Sequence, residues 1–273
     1  MNYGYKEICP TDEQLALLYS SPHENQFDSI TNEYILLKNA DGEVLDIQKW
    51  DGARYTRLKY GKIDNTFSGR ISPRNPQQQM AFDMLQDPKT TIKVLTGTYG
   101  SGKTMLMVVT ALDLIQKGKF DSIVWVRNNI EVKDSVPLGA LPGSAFEKLL
   151  PWAGPLIDHV GGMEGLERLT DSRVIDIQHL GYIRGRDIKN SIIISTEAEN
   201  LTSQHVQLLI GRVGEGSMLW LDGDYRQVDK NIFKENSGLE RAVNRLQGNE
   251  LFAYVNLPTS ERSATARLAD LLD

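Results

Sequence analysis

Apolar and polar residues are arranged in two different ways along the chain, and the change falls near residue 75. Beyond it, short apolar runs are separated mostly by stretches of helical pattern. Continuous apolar strands between helices are typical of a mainly parallel sheet covered on both faces. The pattern predicts an α/β fold whose ligand lies at the carboxyl ends of the strands. The apolar runs are TIKVLT, SIVWVR, RVIDIQ, SIIIST and SMLWLD.

The first 72 residues follow a different pattern. TDEQLALLYS predicts a short helix with Thr11 as its N-cap. EYILLKNADGEVLDIQKW predicts a hairpin with Asp41-Gly42 in its turn. Residues 51–74 carry six basic and two acidic side chains, a net charge of +4 in a chain whose total is −6. This asymmetry predicts a small N-terminal β-rich module at 1–72 and a larger domain at 73–273.

Composition limits the class of protein. The chain has 273 residues and one cysteine, Cys9, so it holds no internal disulfide framework and is compatible with a reducing cytoplasm. No apolar run approaches the roughly 20 residues that span a bilayer, and the first residues lack a secretory pattern. The net negative charge restricts any nucleic-acid contact to a local basic surface. We expect a cytoplasmic protein without a membrane partner.

The strongest motif is GTYGSGKT at residues 97–104, which has the spacing of a P-loop. An apolar strand precedes it and the helical stretch TMLMVVTALDLIQKG follows, as the motif requires. Glycines let backbone N–H groups surround phosphate oxygens at a helix N-terminus. The lysine is expected to reach the β- and γ-phosphates, and the threonine hydroxyl to bind Mg²⁺. The predicted ATP-binding residues are Gly97, Thr98, Tyr99, Gly100, Ser101, Gly102, Lys103 and Thr104.

Three later residues fit the chemistry of phosphoryl transfer. Glu197 follows SIIIST and is expected to orient or deprotonate the attacking water. Gln227, after SMLWLD, would sense that water or the γ-phosphate, and Arg262 would stabilise the transferred charge. Taken singly, each also fits a surface charge or a plain turn; their order after a P-loop favours the catalytic interpretation.

The chain resembles PhoH-like proteins, P-loop ATPases related to superfamily 1 RNA helicases, over roughly residues 30–272. The resemblance rests on motifs in the family's order, of which the segments LGALPG and RGR are the most specific. Some members carry an N-terminal PIN nuclease domain, and this chain looks like the part after it. Compact members occur in bacteriophages, which makes a bacterial or phage source plausible. The motifs are PRNPQQ, GTYGSGKT, PLGALPGSAFEKLLPW, YIRGR, EAENLT, GDYRQVD, NSGL and ERS.

The resemblance implies a RecA-like P-loop NTPase and a role for several further residues. Gln78 resembles the adenine-recognising glutamine of the helicase Q motif. Glu197 matches the catalytic glutamate, Asp224 and Gln227 match helicase motif III, and Arg262 matches a late arginine. Arg184 and Arg186, in RGR, are expected to contact nucleic acid or a neighbouring subunit, with a solvated loop as the alternative.

One position departs from the family pattern. Where the family has Asp-Glu-Ala-Gln, this chain has Thr-Glu-Ala-Glu at 196–199. The aspartate ordinarily holds Mg²⁺ through an outer-shell water, and Thr196 can accept a hydrogen bond from that water but carries no charge. Thr104, Thr196 and Asp224 are the predicted metal residues, and Asp222 or Asp224 could supply the missing charge. We expect ATP binding with slow hydrolysis, and a gain in turnover on Thr196→Asp.

Three functions compete. The leading one is an ATPase coupled to RNA or single-stranded nucleic acid, with basic residues interleaved by Tyr55, Tyr60 and Phe67; a half-buried hairpin with a solvated basic face is its alternative. The second is a nucleotide-dependent scaffold with little turnover. The third, a small-molecule kinase, is disfavoured by GDYRQ. Because only one RecA-like lobe is present, a homo-oligomer is expected, most plausibly a hexameric ring with Arg262 acting across subunits. The basic candidates are Arg54, Arg57, Lys59 and Lys62.

Overall fold

The computed structural model describes residues 3–127, 150, 153–228 and 231–261. Their strands form a six-stranded sheet, a four-stranded sheet and a two-stranded hairpin. The strands are β1 (Tyr5–Ile8), β2 (Tyr34–Lys38), β3 (Val44–Trp50), β4 (Tyr55–Arg57), β5 (Ile63–Asn65), β6 (Gly69–Ile71), β7 (Ile92–Gly97), β8 (Ser122–Arg127), β9 (Ile175–His179), β10 (Ser191–Ser195), β11 (Met218–Gly223) and β12 (Phe252–Leu257).

Helices lie between most strands of the larger sheet. Two short 3₁₀ turns, at 180–183 and 198–200, follow β9 and β10. In the part of the chain that the structure describes, no helix is long and apolar enough to cross a membrane. The α-helices are α1 (Asp12–Ser20), α2 (Pro76–Gln86), α3 (Lys103–Gln116), α4 (Gly154–Ile157), α5 (Gly162–Asp171), α6 (Ser203–Ile210), α7 (Asn231–Glu235) and α8 (Gly238–Leu246).

The larger sheet has the order β12-β7-β11-β10-β8-β9, and all of its strand pairs are parallel. The predicted α/β fold is confirmed, and all five predicted strands are present. The sequence pattern missed β12, which lies next to β7 although it comes last along the chain. Because the strands are parallel, their carboxyl ends meet at one edge, which we call the carboxyl edge.

The smaller sheet contains the predicted hairpin. Strands β2 and β3 pair antiparallel, and β1, which was not predicted, runs parallel to β2. Helix α1 begins after Thr11, whose side chain accepts from the Gln14 N–H in a capping box. Gly4 connects this sheet to the larger one. A Cβ there would lie 1.8 Å from the Tyr254 carbonyl oxygen, and its φ of +79° is in the region that favours glycine.

The two parts share one hydrophobic core. Tyr34 and Leu36 of β2 and Ile63 of β5 are fully buried in the same cluster as apolar residues of α2 and α3. The Tyr34 hydroxyl donates to Asp83 of α2 at 2.9 Å. Asn65 binds the Val109 carbonyl of α3 at 3.1 Å. The boundary between 72 and 73 remains a prediction, since a continuous core joins its two sides.

Candidate nucleotide site

The predicted phosphate loop lies at the carboxyl edge, between the end of β7 and the start of α3. Its glycines are required by the backbone: Gly100 and Gly102 have φ values of +75° and +89°. A Cβ on Gly97 would lie 2.3 Å from the Leu257 carbonyl oxygen of β12. The loop is thus held against the neighbouring strand, with the N-terminus of α3 at its end.

Lys103 folds back onto this loop. Its ammonium group donates to the carbonyl oxygens of Gly97 at 2.9 Å and Thr98 at 3.0 Å. Backbone carbonyls carry only partial charges, so a phosphate would compete strongly for the same ammonium group. The lysine is therefore positioned at the loop before any phosphate arrives.

Gln78 of α2 is hydrogen-bonded to the phosphate loop. The side chain is 2% exposed. Its amide nitrogen donates to the Ser101 carbonyl at 3.2 Å, and its amide oxygen accepts from the Arg74 N–H at 3.0 Å. These bonds brace the loop against α2. Adenine recognition by Gln78 remains a prediction, and the amide has a second N–H and a second oxygen lone pair beyond these two bonds.

Strand β11 ends in a buried carboxylate. Asp222 is 2% exposed, accepts the Thr104 hydroxyl at 2.6 Å and accepts the Glu197 N–H at 3.1 Å. Burial raises the pKa of Asp222, while the Thr104 bond and the charge of Lys103 lower it again. One side chain thereby connects the phosphate loop, its own strand and the end of β10.

Thr196 and Glu197 follow the end of β10. Thr196 is buried, and its hydroxyl has no hydrogen-bond partner among the described residues. Glu197 has a φ of +54°, an uncommon conformation for a residue with a side chain, and such strain is often found at functional sites. Its half-exposed carboxylate pairs with Arg127, at the end of β8, at 2.5 Å. The predicted catalytic glutamate is thus at the carboxyl edge but bound to an arginine.

Glu199 occupies the position where the family has glutamine. Burial, with the nearby charge of Asp222, raises the pKa of Glu199 to about 8, although hydrogen bonds from backbone N–H groups oppose the shift. Its carboxyl oxygen accepts the Asp224 N–H at 3.0 Å. A carboxyl group with this pKa is mostly protonated at neutral pH, so its hydroxyl can donate a hydrogen bond and its carbonyl oxygen can accept one. A glutamine amide also has both a donor and an acceptor.

The turn after β11 contains the other two predicted motif residues. Asp224 is buried and accepts the Arg226 N–H at 3.0 Å, which closes the turn. Gln227 is exposed, and its own N–H donates to the Asp224 carbonyl. A cavity of about 730 Å³ opens beside this turn and the phosphate loop, lined by Gly97, Thr98 and Asp224 among others.

The predicted nucleic-acid residues belong to two segments, one after β9 and one around β4. Arg184 and Arg186 are exposed after β9, and Arg186 lies 3.4 Å from Asp176. Arg57 and Lys59 line a cavity of about 360 Å³ that also contains the buried pair Lys49–Asp87. Arg54 and Lys62 are exposed on the chain around them.

The proposed interleaving of basic and aromatic residues is wrong at Tyr55. This ring is 3% exposed and packs against Trp50 and Phe27, and its hydroxyl donates to Asn25 at 2.7 Å. Tyr55 is therefore unable to stack on a base. Successive side chains of a strand point to opposite faces of the sheet, so every second one can lie in the core. The alternation of basic and aromatic residues here therefore results from the packing of the sheet.

Two predicted features lie outside the described residues. They are Arg262 and the segment LGALPG. Glu261, just before Arg262, is described: its N–H donates to the Gly100 carbonyl at 2.9 Å, and its carboxylate accepts from Asn75, the N-cap of α2, at 2.6 Å. The chain after β12 thus passes along the phosphate loop.

The sequence analysis named Asp222 as a possible source of the charge that Thr196 lacks, but it assigned no role to Arg127 or Glu199. Asp222 and Arg127 end apolar strands, and a charge at such a position was a usable signal because parallel strand ends converge. Among the described residues, no cluster of three His, Cys, Asp or Glu side chains forms a metal cage. The Thr104 hydroxyl beside the Asp222 carboxylate fits Mg²⁺ instead, which keeps several waters and takes few protein ligands next to nucleotide phosphates.

A glycine-bearing loop between a parallel strand and a helix, ending in Lys103 and Thr104, defines a P-loop NTPase. The family model described as PhoH-like protein matches residues 70–267, and the chain belongs to that family.

Curated relatives agree with this assignment. Protein PhoH2 of Bacillus subtilis is 32% identical over 287 residues, covering 100% of this chain and 64% of the relative. Protein PhoH2 of Mycolicibacterium smegmatis is 31% identical, over 71% of this chain and 45% of its own. The chain thus spans between 45% and 64% of the length of these two relatives.

Solved structures show more distant similarity. A Pif1 helicase from Candida albicans is 15% identical with a TM-score of 0.36, covering 74% of this chain and 44% of that one. The SWI2/SNF2 ATPase core of Sulfolobus solfataricus is 14% identical with a TM-score of 0.39, covering 67% and 38%. Similarity at this level carries no argument about the site.

Proposed function

We propose that this protein binds and hydrolyses ATP and that hydrolysis is coupled to RNA or single-stranded nucleic acid. The observation that carries the proposal is the convergence of Lys103, the bonded pair Thr104–Asp222 and Glu197 at one edge of a parallel sheet. Phosphoryl transfer needs a cation at the phosphates, a metal position and a group that orients water, and this edge offers all three.

The residues divide the work by position. Lys103 exchanges its two backbone carbonyls for phosphate oxygens, and the α3 N-terminus adds its partial positive charge. Mg²⁺, when bound, neutralises charge on the β- and γ-phosphates. Glu197 accepts a proton from the attacking water once its carboxylate leaves Arg127, and Gln227, exposed on the next turn, orients the same water.

Nucleic-acid coupling is supported by the residues that follow β9. Tyr182, 67% exposed, and Arg184 follow β9, whose carboxyl end lies at the same edge as the phosphate loop. An exposed ring beside an arginine can stack on a base while the cation contacts a phosphate. A nucleic-acid strand bound to these residues would lie at the carboxyl edge, where ATP is proposed to bind.

ATP turnover, measured with and without single-stranded RNA, tests the proposal. We expect turnover that rises with RNA and is lost in Lys103→Ala. Lys119→Ala is the matched control, because this exposed lysine follows the same helix and lies outside the site. Turnover that ignores RNA would leave a P-loop ATPase without the proposed coupling.

A nucleotide-dependent scaffold with little turnover is the second candidate, and the Arg127–Glu197 pair favours it. In a scaffold, this pair would persist after ATP binds and the carboxylate would never meet water. Tight binding of Mg·ATP without measurable phosphate release, with or without RNA, would select this function.

The homo-oligomeric ring and the action of Arg262 across subunits remain proposals. If each site combines two subunits, mixing Lys103→Ala with Arg262→Ala subunits restores part of the activity, because some interfaces pair an intact loop with an intact arginine. Arg262 acting within its own chain predicts no recovery in the mixture. A cytoplasmic location also remains a prediction from the single cysteine.

A further inference from the structure

The end of β10 carries no carboxylate where the family resemblance expects one for the metal. Thr196 stands there, 6% exposed, and its hydroxyl has no hydrogen-bond partner among the described residues. Among the described groups of the site, none is hydrogen-bonded to the Thr196 hydroxyl, whereas the Thr104 hydroxyl and the Glu197 N–H are both bonded to Asp222.

A carboxylate is present on the neighbouring strand at the equivalent level. Ser195 of β10 is in register with Leu221 of β11, so Thr196 and Asp222 stand one residue beyond that pair. Strand β11 is also hydrogen-bonded to β7, the strand that leads into the phosphate loop. Adjacent strands lie about 4.8 Å apart. The carboxylate is therefore displaced by one strand, towards the loop.

The hydrogen bonds of Asp222 suit a metal position. A threonine hydroxyl has one hydrogen and two lone pairs. Thr104 donates that hydrogen to Asp222 at 2.6 Å, which leaves the oxygen lone pairs directed away from the carboxylate and available to a cation. The other Asp222 oxygen accepts the Glu197 N–H at 3.1 Å. Asp222 thus orients the metal-binding hydroxyl and fixes the backbone of the predicted catalytic residue.

Asp224, the alternative carboxylate, is engaged elsewhere. One of its oxygens accepts the Arg226 N–H at 3.0 Å and lies 3.6 Å from the Arg226 side-chain Nε. These contacts close the turn after β11 and pair its charge with an arginine. No hydrogen bond joins the Asp224 side chain to Thr104 or to Glu197 among the described residues.

We propose that Asp222 is the carboxylate of the Mg²⁺ site, in the place that the family pattern gives to residue 196. Asp222 acts as a positioning residue: it orients the Thr104 hydroxyl towards the ion, accepts hydrogen bonds from water on the ion, and supplies the negative charge that Thr196 lacks. This assignment rests on the proposed ATP binding. It also changes the expectation for Thr196→Asp, which adds a second carboxylate to a site that already has one and brings no gain in turnover.

Calorimetric binding of ATP, in excess EDTA and in saturating Mg²⁺, tests the assignment without any turnover. Asp222→Asn keeps the shape and one acceptor but removes the charge. We expect the increase in ATP affinity caused by Mg²⁺ to fall by about tenfold to a hundredfold, as for other outer-shell metal partners, with the affinity in EDTA unchanged. Asp224→Asn, the matched control, retains the full increase. An unchanged Mg²⁺ effect in Asp222→Asn, or an equal loss in Asp224→Asn, overturns the assignment.

Thr196→Val provides a test that does not depend on the folding of Asp222→Asn. Valine has the shape of threonine and removes only the unpartnered hydroxyl. We expect the same Mg²⁺ effect as in the wild type; a loss would return the metal position to residue 196 and overturn the proposal. Wild-type protein that binds no ATP in either buffer would remove the proposed function itself, whereas wild-type binding with an unaltered Asp222→Asn removes the Asp222 assignment alone.

Discussion

The sequence predicts a functional role both for the carboxyl edge of the parallel sheet and for the basic segment at 51–74. The structure brings the predicted residues of the first region together, whereas in the second region one of the predicted aromatic rings lies in the core. At the carboxyl edge, Thr104 after β7, Asp222 at the end of β11 and Glu197 after β10 come from three strand ends and are joined by hydrogen bonds. In the basic segment, Arg57 and Lys59 line one cavity while Tyr55 points into the core.

The difference lies in what each sequence pattern constrains. A P-loop requires glycines at fixed spacing because the backbone adopts conformations closed to other residues, and parallel strands bring their ends together whatever lies between them. A run of basic and aromatic residues constrains only composition. An ordinary strand with one face buried has the same alternation, so the segment predicts a basic surface without saying which rings are exposed.

Replacement of Lys103 is expected to have the largest effect, because it removes the cation at the phosphates. Lys103→Ala should weaken ATP binding by about a hundredfold, corresponding to roughly 3 kcal/mol for the loss of charge-assisted hydrogen bonds. Calorimetry measures this, with Lys119→Ala as the control. Unchanged affinity would show that the loop does not hold phosphate, and it would remove the functional assignment of the carboxyl edge.

Neutralising the basic segment tests the other side of the comparison. If Arg54, Arg57, Lys59 and Lys62 all contact phosphates, changing them to Gln reduces the dependence of log affinity on log salt by roughly 0.7 per contact on a single strand. Fluorescence anisotropy with labelled single-stranded RNA at several salt concentrations measures the slope. The control removes four exposed cations elsewhere: Lys119, Lys189, Lys234 and Arg241. Equal slopes in the two variants would make the segment an ordinary solvated face.

The fold was largely predictable from sequence, because each predicted apolar run was long enough to form a buried strand. Asn75 caps α2 and Pro76 is its first residue, whereas α3 and α5 begin after the glycines Gly102 and Gly161, without a side-chain cap. Strand β12 was missed although its sequence is apolar. The site was predictable where a motif marks it, and Asp222 was among the candidates for the missing charge, but its bonds to Thr104 and Glu197 and the Arg127–Glu197 pair depend on which strands are neighbours. Strand order is set by tertiary packing, which no local pattern encodes.

The core that joins the two regions contains a buried lysine, and the protonation of this lysine is coupled to folding. Lys93 of β7 is fully buried and donates to the Leu85 and Asp87 carbonyls at the end of α2, both at 2.7 Å. Burial lowers the pKa of Lys93 to about 7 from 10.5, against the opposing charge of Asp87. Asp87 in turn pairs with Lys49 of β3 in the smaller sheet.

A lowered folded-state pKa means that the unfolded chain binds the additional proton between pH 7 and 10.5. The free energy of unfolding therefore rises with pH across this window, by about 2 kcal/mol from pH 7 to pH 9. Urea unfolding at several pH values measures the rise. Lys93→Met should abolish this contribution and Lys89→Met, an exposed neighbour, should retain it. The same rise in both variants would contradict the assignment to Lys93.

The smallest expected effect concerns the Arg127–Glu197 pair, which decides whether the carboxyl edge is poised for catalysis or only for binding. The two side chains are 20% and 49% exposed, and pairs of this kind contribute about 1 kcal/mol or less. Removing the arginine frees the carboxylate to meet water. Arg127→Ala should therefore raise RNA-independent turnover by about fivefold at most and leave the ATP affinity unchanged. Lys189→Ala is the control, since Lys189 makes an exposed pair with Asp187 and neither residue lines the cavity beside the phosphate loop. A fall in turnover would show instead that Arg127 helps the reaction, and the pair would then be a resting arrangement of two catalytic groups.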